Sequence, residues 1–283
     1  MTNTDGRVWL ITGCSAGFGR EIALAALAAG DRVLATARRP ETLADLQERG
    51  GDRLRTAALD VTDAGQIDTA VKAAIEAFGR IDVVVNNAGS GAVGAVEELT
   101  MDELRALMDV MFFGAVAVTK AVLPHLRAQG SGTVVQLSSM GGQLAPPGFA
   151  AYCAAKFALE GISEALAAEV APFGVQVLIV EPGAFRTEFG AEALRKMPVM
   201  PAYQESLTGI RGVLHDMHGT QPGDPAKAAR AVALALESDA TPLRLQLGAD
   251  AIAAVRTHAE LLLKDLAAWE RVGTDTAVGA KAA

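Results

Sequence analysis

Short apolar runs rich in β-branched residues alternate with longer alanine-rich stretches along the chain. The short runs have strand length and are apolar on both faces, which is typical of parallel strands covered by helices. They are Arg7–Thr12, Arg32–Thr36, Leu54–Leu59, Ile81–Asn86, Thr133–Ser138, Val175–Glu181 and Arg244–Leu247. The stretches long enough for crossover helices are Gly19–Ala29, Pro40–Arg49, Ala64–Phe78, Met101–Gln129 and Ala154–Pro172. This order predicts an α/β fold with a doubly wound parallel sheet of about seven strands and helices on both faces.

No internal repeat or linker divides this pattern, so residues 1–272 are predicted to form one domain. The segment Phe185–Gly223 breaks the alternation, because it is rich in glycine, proline and methionine. It is predicted to lie over the site as a lid. The final stretch, Gly273–Ala283, is small and polar and is predicted to be a disordered tail.

A chain of 283 residues with 51% hydrophobic and 20% charged residues can bury one large core without disulfide or metal staples. The net charge of -8 gives no broad positive field, which disfavours nucleic-acid binding. The N-terminus lacks the basic and apolar parts of a leader, and no apolar run reaches the roughly 18 residues of a membrane helix. We therefore expect a cytoplasmic protein without a membrane span.

The two cysteines and one pair of histidines are interpreted as structural residues without a chemical role. Cys14 and Cys153 form neither a disulfide framework nor a metal-ligand spacing, and we expect both to be reduced packing residues. His215 and His218 have the helical spacing of metal ligands, but only Asp216 accompanies them. The pair is more typical of a polar surface turn, so no metal site is predicted.

A glycine-rich turn, Thr12-Gly-Cys-Ser-Ala-Gly-Phe-Gly19, follows the first strand and opens the first helix. Glycines there allow a tight turn and close approach of the backbone, so the free N–H groups and positive end of the helix can meet a pyrophosphate. A tight connection without a ligand shows the same glycines. The turn alone leaves both interpretations open.

Further motifs follow in order at predicted strand ends: Asn86-Asn87-Ala88-Gly89, Ser139, Tyr152-x-x-x-Lys156 and Pro182-Gly183. With them the chain, between Arg7 and Leu247, resembles the single-domain branch of the short-chain dehydrogenase/reductase superfamily. It looks nearest to NADP-preferring hydroxysteroid- and retinol-dehydrogenase-like members. The resemblance implies a Rossmann fold, a nicotinamide cofactor, and hydride transfer between an alcohol and a ketone or aldehyde.

The chemistry explains the residue types in the third motif. Tyr152 and Lys156 are four apart and share a helix face, so the lysine cation is expected to lower the pKa of the tyrosine. A lowered pKa suits a general acid or base at neutral pH. The resemblance implies that Ser139 binds the substrate oxygen, Tyr152 exchanges its proton, and Lys156 also holds the nicotinamide ribose.

Cofactor choice depends on the end of the second strand, where an acidic residue would repel a 2′-phosphate. Arg38 stands there instead and can pair with the phosphate, with help from Ser15, so NADP(H) is predicted over NAD(H). Asp60 and Val61 match the family's adenine contact, although Asp60 also suits a helix cap. The resemblance further implies that Thr187 contacts the nicotinamide carboxamide. The predicted cofactor residues are Gly13, Ser15, Gly17, Phe18, Gly19, Arg38, Asp60, Val61, Asn87, Ala88, Gly89, Tyr152, Lys156, Pro182, Gly183 and Thr187.

One position departs from the family pattern. In the run Asp109–Gly114, Met111 stands where the resemblance implies an asparagine that distorts the central helix and holds a water linked to the lysine. A thioether is only a weak acceptor and donates nothing. The departure predicts slower or rerouted proton exchange.

Substrate recognition is assigned to apolar residues around the lid, which would suit a bulky apolar carbonyl compound. Ordinary core or lid packing explains each of these residues as well. The candidates are Leu144, Phe149, Phe185, Phe189 and Met197, with Met200 and Tyr203 beside them.

Two other functions remain open. An NADP(H)-binding sensor or scaffold without turnover is motivated by Met111, and a dinucleotide-dependent epimerase or dehydratase would need a further sugar-binding domain that the sequence lacks. The helices Met101–Gln129 and Ala154–Pro172 resemble those that pair across two-fold axes in the family. A homodimer or homotetramer is therefore expected.

Overall fold

The structure, a computed structural model, describes residues 6–188, 194–216, 219–238 and 240–279. Its strands coincide with the predicted apolar runs, with two short additions at Gly91 and Leu194. In chain order they are β1 (Val8–Ile11), β2 (Arg32–Ala37), β3 (Leu54–Ala58), β4 (Val83–Asn86), β5 (Gly91–Val93), β6 (Gly132–Leu137), β7 (Val175–Pro182), β8 (Leu194–Lys196) and β9 (Arg244–Leu247).

Helices cover both faces of the sheet. They are α1 (Gly17–Ala28), α2 (Ala44–Gly50), α3 (Ala64–Phe78), α4 (Met101–Met108), α5 (Ala115–Gln129), α6 (Ala150–Val170), α7 (Gln204–Asp216), α8 (Pro225–Glu237) and α9 (Ala249–Thr274). Several begin at a side-chain cap, as when the Asp63 carboxylate accepts from the backbone N–H of Gln66 at 3.0 Å.

The central sheet has seven parallel strands in the order β3-β2-β1-β4-β6-β7-β9. Its strand order reverses at β1, which pairs with β2 on one side and with β4 on the other. Ligands of open α/β sheets bind at such a reversal, beyond the carboxyl ends of the strands. The predicted doubly wound Rossmann fold is confirmed.

Alternate residues of the strands pack into two cores, one on each face. Trp9 and Ile11 point into a core shared with α1 and α8, whereas Leu10 and Val84 point into a core shared with α3, α5 and the end of α6. Because both faces are covered, the strands are apolar at nearly every position, which is why their sequence shows runs instead of alternation.

The helical stretch Met101–Gln129 contains one widened, π-helical turn at Asp109–Gly114, between α4 and α5. By length and composition this stretch is apolar enough to cross a membrane, so the expectation that no segment meets that criterion was wrong. Val118, Val122 and Leu126 pack it against the sheet, as in the core helix of a globular domain, which passes the same test.

The predicted lid segment is held against the body by a second, two-stranded sheet. β8 pairs in parallel with β5, and the backbone N–H of Met197 donates to the carbonyl of Val93 at 2.9 Å. Arg211 of α7 forms an ion pair with the buried Glu98 at 2.6 Å. The predicted lid segment is therefore attached to the residues that follow β4.

The C-terminal region differs from the sequence expectation. The predicted tail begins at Gly273, but α9 continues to Thr274, and residues 280–283 lie outside the described part of the chain. The sequence pattern did not predict α9.

Candidate active site

The hydroxyl of Thr12, directly after β1, organises the point where the strand order reverses. It donates to the carbonyl of Val85 at 3.2 Å and accepts from the backbone N–H groups of Asn87 and Ala88 at 2.9 and 3.0 Å. In the sequence Thr12 is only the first residue of the glycine-rich motif, and nothing in the motif indicates this role. Its hydrogen bonds fix the Asn87-Ala88-Gly89 segment against the glycine-rich turn.

The glycines of the turn are required by close backbone contacts. The Asn87 side-chain amide donates to the carbonyls of Thr12 and Gly13 at 2.9 and 3.0 Å. A Cβ at Gly19 would lie 2.4 Å from Asn87 Nδ2 and 2.5 Å from the Gly13 carbonyl oxygen. These contacts bring Gly13, Gly19 and Asn87 together as predicted.

The N-terminus of α1 is available to an anion. Its N-cap residue is Ala16, which provides no side-chain cap, and its first turn carries no acidic residue. In the part of the chain that the structure describes, no side-chain cap or carboxylate therefore satisfies the first-turn N–H groups and the positive end of the helix dipole, and Ser15, just before the helix, is exposed. These features fit a dinucleotide pyrophosphate. Phe18 instead turns its ring to the core and packs against Phe185, with ring centroids 5.1 Å apart and the ring planes tilted by 58°.

The three predicted catalytic side chains lie together beyond the carboxyl end of β6. Ser139 follows that strand, and its side chain is hydrogen-bonded to Tyr152 of α6. The Ser139 hydroxyl also accepts from the backbone N–H of Gly141 at 3.0 Å. Lys156, one turn further along α6, has its Nζ 5.7 Å from the centre of the Tyr152 ring. The sequence spacing thus brings the predicted trio into one site.

The expected direction of the Tyr152 pKa was wrong. Burial raises the pKa of Tyr152 to about 12, and the hydrogen bond with Ser139 only partly opposes this effect. The Lys156 ammonium does not lower it, because that group is turned to the Leu137 carbonyl, to which it donates at 2.6 Å. The Tyr152 hydroxyl therefore holds its proton at neutral pH.

Lys156 shows the complementary effect. Burial lowers the pKa of Lys156 to about 8, against an attraction from Glu160, one turn further along α6, that raises it. Both members of the pair are therefore shifted towards their neutral forms by removal from water. Lys156 stays mostly charged at neutral pH.

A network of buried carboxylates supports this end of α6 and was not identified from the sequence. Arg244 of β9 pairs with Glu160 at 3.1 Å and with Glu181 at 3.4 Å. The Gln143 amide donates to both carboxylates at 3.2 and 3.1 Å. Burial raises the pKa of Glu181. Only contact between distant strands reveals this network, so no local sequence signal could have found it.

Met111 lies in the widened turn between α4 and α5. It is buried in a small cluster with Leu107, Ala155 and Met197, and Tyr152 packs against that cluster. A Cβ at Gly89 would lie 3.7 Å from the methionine sulfur. The helix distortion that the resemblance attributes to asparagine is therefore present with methionine in its place.

The residues predicted to bind the adenosine half lie at the ends of β2 and β3. The pKa of Asp60 is lowered, mainly by hydrogen bonds from Thr62 and to a smaller extent by the charge of Arg38. Arg38 itself is exposed. Asp60 is not the cap of α3, since Asp63 fills that role. Val61 is buried against Gly114 and belongs to the core, so its side chain does not face a cofactor site.

The segment after β7 runs towards the glycine-rich turn. A Cβ at Gly17 would lie 3.4 Å from Thr187 Cβ, so Thr187 borders the predicted pyrophosphate site. The Asp250 carboxylate accepts from the backbone N–H of Ala184 at 2.7 Å and fills the space where Gly183 would carry a Cβ. Asp250 thus positions the Pro182-Gly183 turn, a role that the sequence did not suggest.

The predicted substrate residues divide into three groups. Phe149 contacts Tyr152 with ring centroids 6.2 Å apart, and Met197 belongs to the cluster against which Tyr152 packs. Leu144 is half-buried and precedes Phe149 by five residues in the sequence. Phe185 packs on the opposite core with Phe18, so its predicted substrate role is not supported. Phe189 lies outside the described residues.

The other two candidates attach the predicted lid segment to the residues just before α4. Tyr203 donates to the Glu97 carboxylate at 2.7 Å, and the backbone N–H of Met200 donates to Glu98 at 2.7 Å. Among the described residues no group of three potential metal-ligating side chains occurs. His218 lies outside that part of the chain.

Comparison with known proteins agrees with this geometry. The family model of the short chain dehydrogenases matches residues 7–198. An oxidoreductase of Botryotinia fuckeliana, BOA17, is 42% identical over 272 residues, covering 96% of this chain and 99% of its own. A short-chain dehydrogenase structure from Streptomyces avermitilis is 50% identical with a TM-score of 0.91, covering 96% of this chain and 100% of its own. Retinol dehydrogenase 5 of Mus musculus is 42% identical over 180 residues, 62% of this chain and 56% of its own.

The fold, the ordered motifs and these relatives define an oxidoreductase of the Rossmann type with a nicotinamide cofactor. The chain belongs to the short-chain dehydrogenase/reductase family, and retinol-dehydrogenase-like proteins are among its relatives. The residues described around Thr12 and α1 fit the family's dinucleotide, because they offer uncapped N–H groups and glycine contacts without room for a Cβ.

Gly19→Ala should weaken dinucleotide binding at least about tenfold and destabilise the protein by about 1–3 kcal/mol, because the added Cβ displaces the Asn87 amide. Fluorescence titration with NADPH and thermal unfolding measure the two effects. Gly161→Ala is the matched control, since its Cβ meets nothing within 4 Å. Normal binding by Gly19→Ala would contradict the proposed fit.

In the cofactor-free protein, one lysine should titrate near pH 8 in an NMR titration of lysine side chains, and its signal should vanish in Lys156→Met. Because the folded-state pKa is lowered, Lys156 destabilises the fold most below pH 8, and stability from this group rises between pH 8 and its ordinary value of 10.5. Glu160→Gln should lower the midpoint further. A Lys156 midpoint close to 10.5 would show that the ammonium is solvated.

Proposed function

We propose that the protein is an NADP(H)-dependent oxidoreductase that interconverts an apolar alcohol and the corresponding ketone or aldehyde. The observation that carries the proposal is the contact between Ser139 and Tyr152 with Lys156 behind the ring. When bound, the nicotinamide supplies the hydride. This chain's own residues orient the substrate and donate or accept the proton.

The Ser139 hydroxyl is suited to hold the substrate oxygen beside Tyr152. Tyr152 carries its proton at neutral pH, as the donor in a carbonyl reduction must, although the pKa raised to about 12 makes it a weaker acid than an unperturbed tyrosine. Lys156 keeps a positive charge 5.7 Å from the centre of the Tyr152 ring and is suited to hold the nicotinamide ribose when the cofactor is bound. Phe149 and Met197 beside Tyr152 favour an apolar substrate.

The preference for NADP(H) is supported by Arg38. It is exposed after the end of β2, where the sequence carries Arg38 and Arg39 and no acidic residue, and it can bind a 2′-phosphate with paired hydrogen bonds, although the Asp60 carboxylate is close enough to interact with its charge. Ser15 is exposed on the adjoining turn and can add a further hydrogen bond.

We further propose a cytoplasmic homodimer or homotetramer. Exposed apolar side chains mark the helices that the family resemblance identifies as interface helices: Phe113 after α4, and Phe157 and Ile162 on α6. Exposed apolar groups of this size are typical of surfaces that associate.

Tyr152→Phe should reduce the turnover of apolar ketones and aldehydes by about 10²–10⁴-fold, because it removes the proton donor while keeping the ring. NADPH oxidation followed by absorbance measures turnover, and fluorescence titration should show NADPH binding retained. Tyr203→Phe is the matched control, because that hydroxyl pairs with Glu97 away from the trio. NADPH binding without turnover of any carbonyl by the unaltered protein would support the sensor instead.

Arg38→Gln should weaken NADPH binding by about 10–100-fold and leave NADH binding unchanged, because only the 2′-phosphate loses a charged hydrogen bond. Arg39→Gln tests the neighbouring arginine, which is equally exposed, and should have little effect. Equal losses for both dinucleotides in Arg38→Gln would mean that Arg38 does not select the cofactor.

A further inference from the structure

The C-terminal half of α9 stands clear of the domain. Its first turn is anchored by the buried Ala251, but every residue from Ala259 to Thr274 is exposed. Six large apolar side chains in that half are more than half exposed, up to 68% at Trp269. They are Leu261, Leu262, Leu263, Leu266, Trp269 and Val272. Helices in proteins gain most of their stability from packing of an apolar face, which this half of α9 does not have within the described part of the chain, and such a patch on a monomer is unusual.

The small and apolar residues of α9 follow a coiled-coil spacing. Steps of three and four residues connect a single stripe along the helix, which is the pattern of positions that meet a second helix. The stripe consists of Ile252, Val255, Ala259, Leu262, Leu266, Trp269 and Gly273. Its members continue from the anchored half onto the free half, so a partner helix could follow the stripe along most of α9.

A second copy of α9 in antiparallel orientation matches this stripe in size. In the register that sets Leu262 against the partner's Leu266, Ala259 meets the partner's Trp269, and Val255 meets the partner's Gly273. Each large residue then faces a small or equal one, and the two-fold axis repeats every contact. The arrangement closes on two chains.

The same register is complementary in charge. Arg256 and Glu270 flank the stripe on the same side, each four residues after a stripe position. Antiparallel pairing brings Arg256 beside the partner's Glu270, and symmetry makes the pair twice. On this flank Leu263 lies next to the partner's Leu263, close to the two-fold axis.

A membrane surface fits α9 less well. Helices that lie on membranes carry an excess of basic residues on the polar face. Between residues 256 and 271 the polar positions hold three basic and three acidic side chains: Arg256, Lys264, Arg271, Glu260, Asp265 and Glu270. The balance gives no net attraction to anionic lipid.

We propose that α9 is a self-association surface, on which two copies of this chain pair through antiparallel α9 helices with Leu262 and Leu266 at the centre and Arg256–Glu270 pairs at the flank. This surface is separate from α5 and α6. The pairing does not depend on the enzymatic reaction or on cofactor binding.

Light scattering coupled to size exclusion tests the pairing. The double variant Leu262→Glu with Leu266→Glu should have half the mass of the unaltered protein, whether the latter is a dimer or a tetramer, and should still bind NADPH. Arg256→Glu and Glu270→Arg should each weaken assembly at least tenfold, and the two changes combined should restore it. The proposal would be overturned if the unaltered protein were monomeric, or if the Leu262→Glu with Leu266→Glu variant kept the mass of the unaltered protein. If Arg256→Glu combined with Glu270→Arg failed to restore assembly, the antiparallel register would be overturned.

Cross-linking supplies a second readout that does not depend on weakening the assembly. Both native cysteines are buried, so a single introduced thiol reports one position. Leu263→Cys should form covalent dimers with a short bis-maleimide, whereas Lys264→Cys, on the far side of the helix, should not. Equal cross-linking of both variants would contradict the pairing. Sedimentation with phosphatidylserine vesicles tests the alternative that α9 binds a membrane surface. Vesicle binding by the unaltered protein that is abolished by Leu262→Glu with Leu266→Glu would overturn self-association in favour of a lipid surface.

Discussion

The hydroxyl of Thr12 connects the end of β1 to β4 at the reversal in strand order, and the geometry of the site depends on this connection. One side chain satisfies the carbonyl of Val85 and the N–H groups of Asn87 and Ala88. Asn87 is thereby brought close enough to bind the carbonyls of the glycine-rich turn. The turn can hold this position only because Gly13 and Gly19 leave space for the amide. A polar join between two buried strands thus orients the start of α1, where a dinucleotide binds in this fold.

Removal from water is the second determinant of the site. Tyr152 and Lys156 are shifted towards neutrality by the same burial, so neither can be understood from its partner alone. Glu160 partly compensates Lys156, and Arg244 in turn pairs with Glu160 and Glu181. A buried carboxylate left without its partner is strongly destabilising, so this network also restricts where α6 can lie relative to β7 and β9. The charge behind the proton donor is consequently set by contacts between distant parts of the chain.

Most of the fold, and the residues that come together at the site, could be predicted because short stretches of sequence indicate them. The buried strands appear as continuous apolar runs, and β9 was predicted at its observed bounds. The trio of Ser139, Tyr152 and Lys156 follows from spacing on one strand end and one helix. The direction of the Tyr152 pKa, the support from Asp250 and the packing of Phe185 could not be predicted, because they depend on burial and on contacts between distant segments. β5 and β8 were missed for the same reason, since three-residue strands gain their identity only by pairing across about a hundred residues.

The widened turn at Met111 shows how a shape can persist without the residue usually associated with it. Gly114, at the end of that turn, packs so closely on Val61 that a Cβ would lie 2.6 Å from the valine methyl group. On the other side Met111 is buried with Leu107 and Met197. Packing on both sides therefore stabilises the distortion, and asparagine is not required for it. What the thioether cannot supply is a hydrogen-bond donor, so a water near Lys156 would have to be held by backbone carbonyls of the widened turn. Methionine thus keeps the shape that the family resemblance attributes to asparagine, but it lacks the amide donor that asparagine would bring.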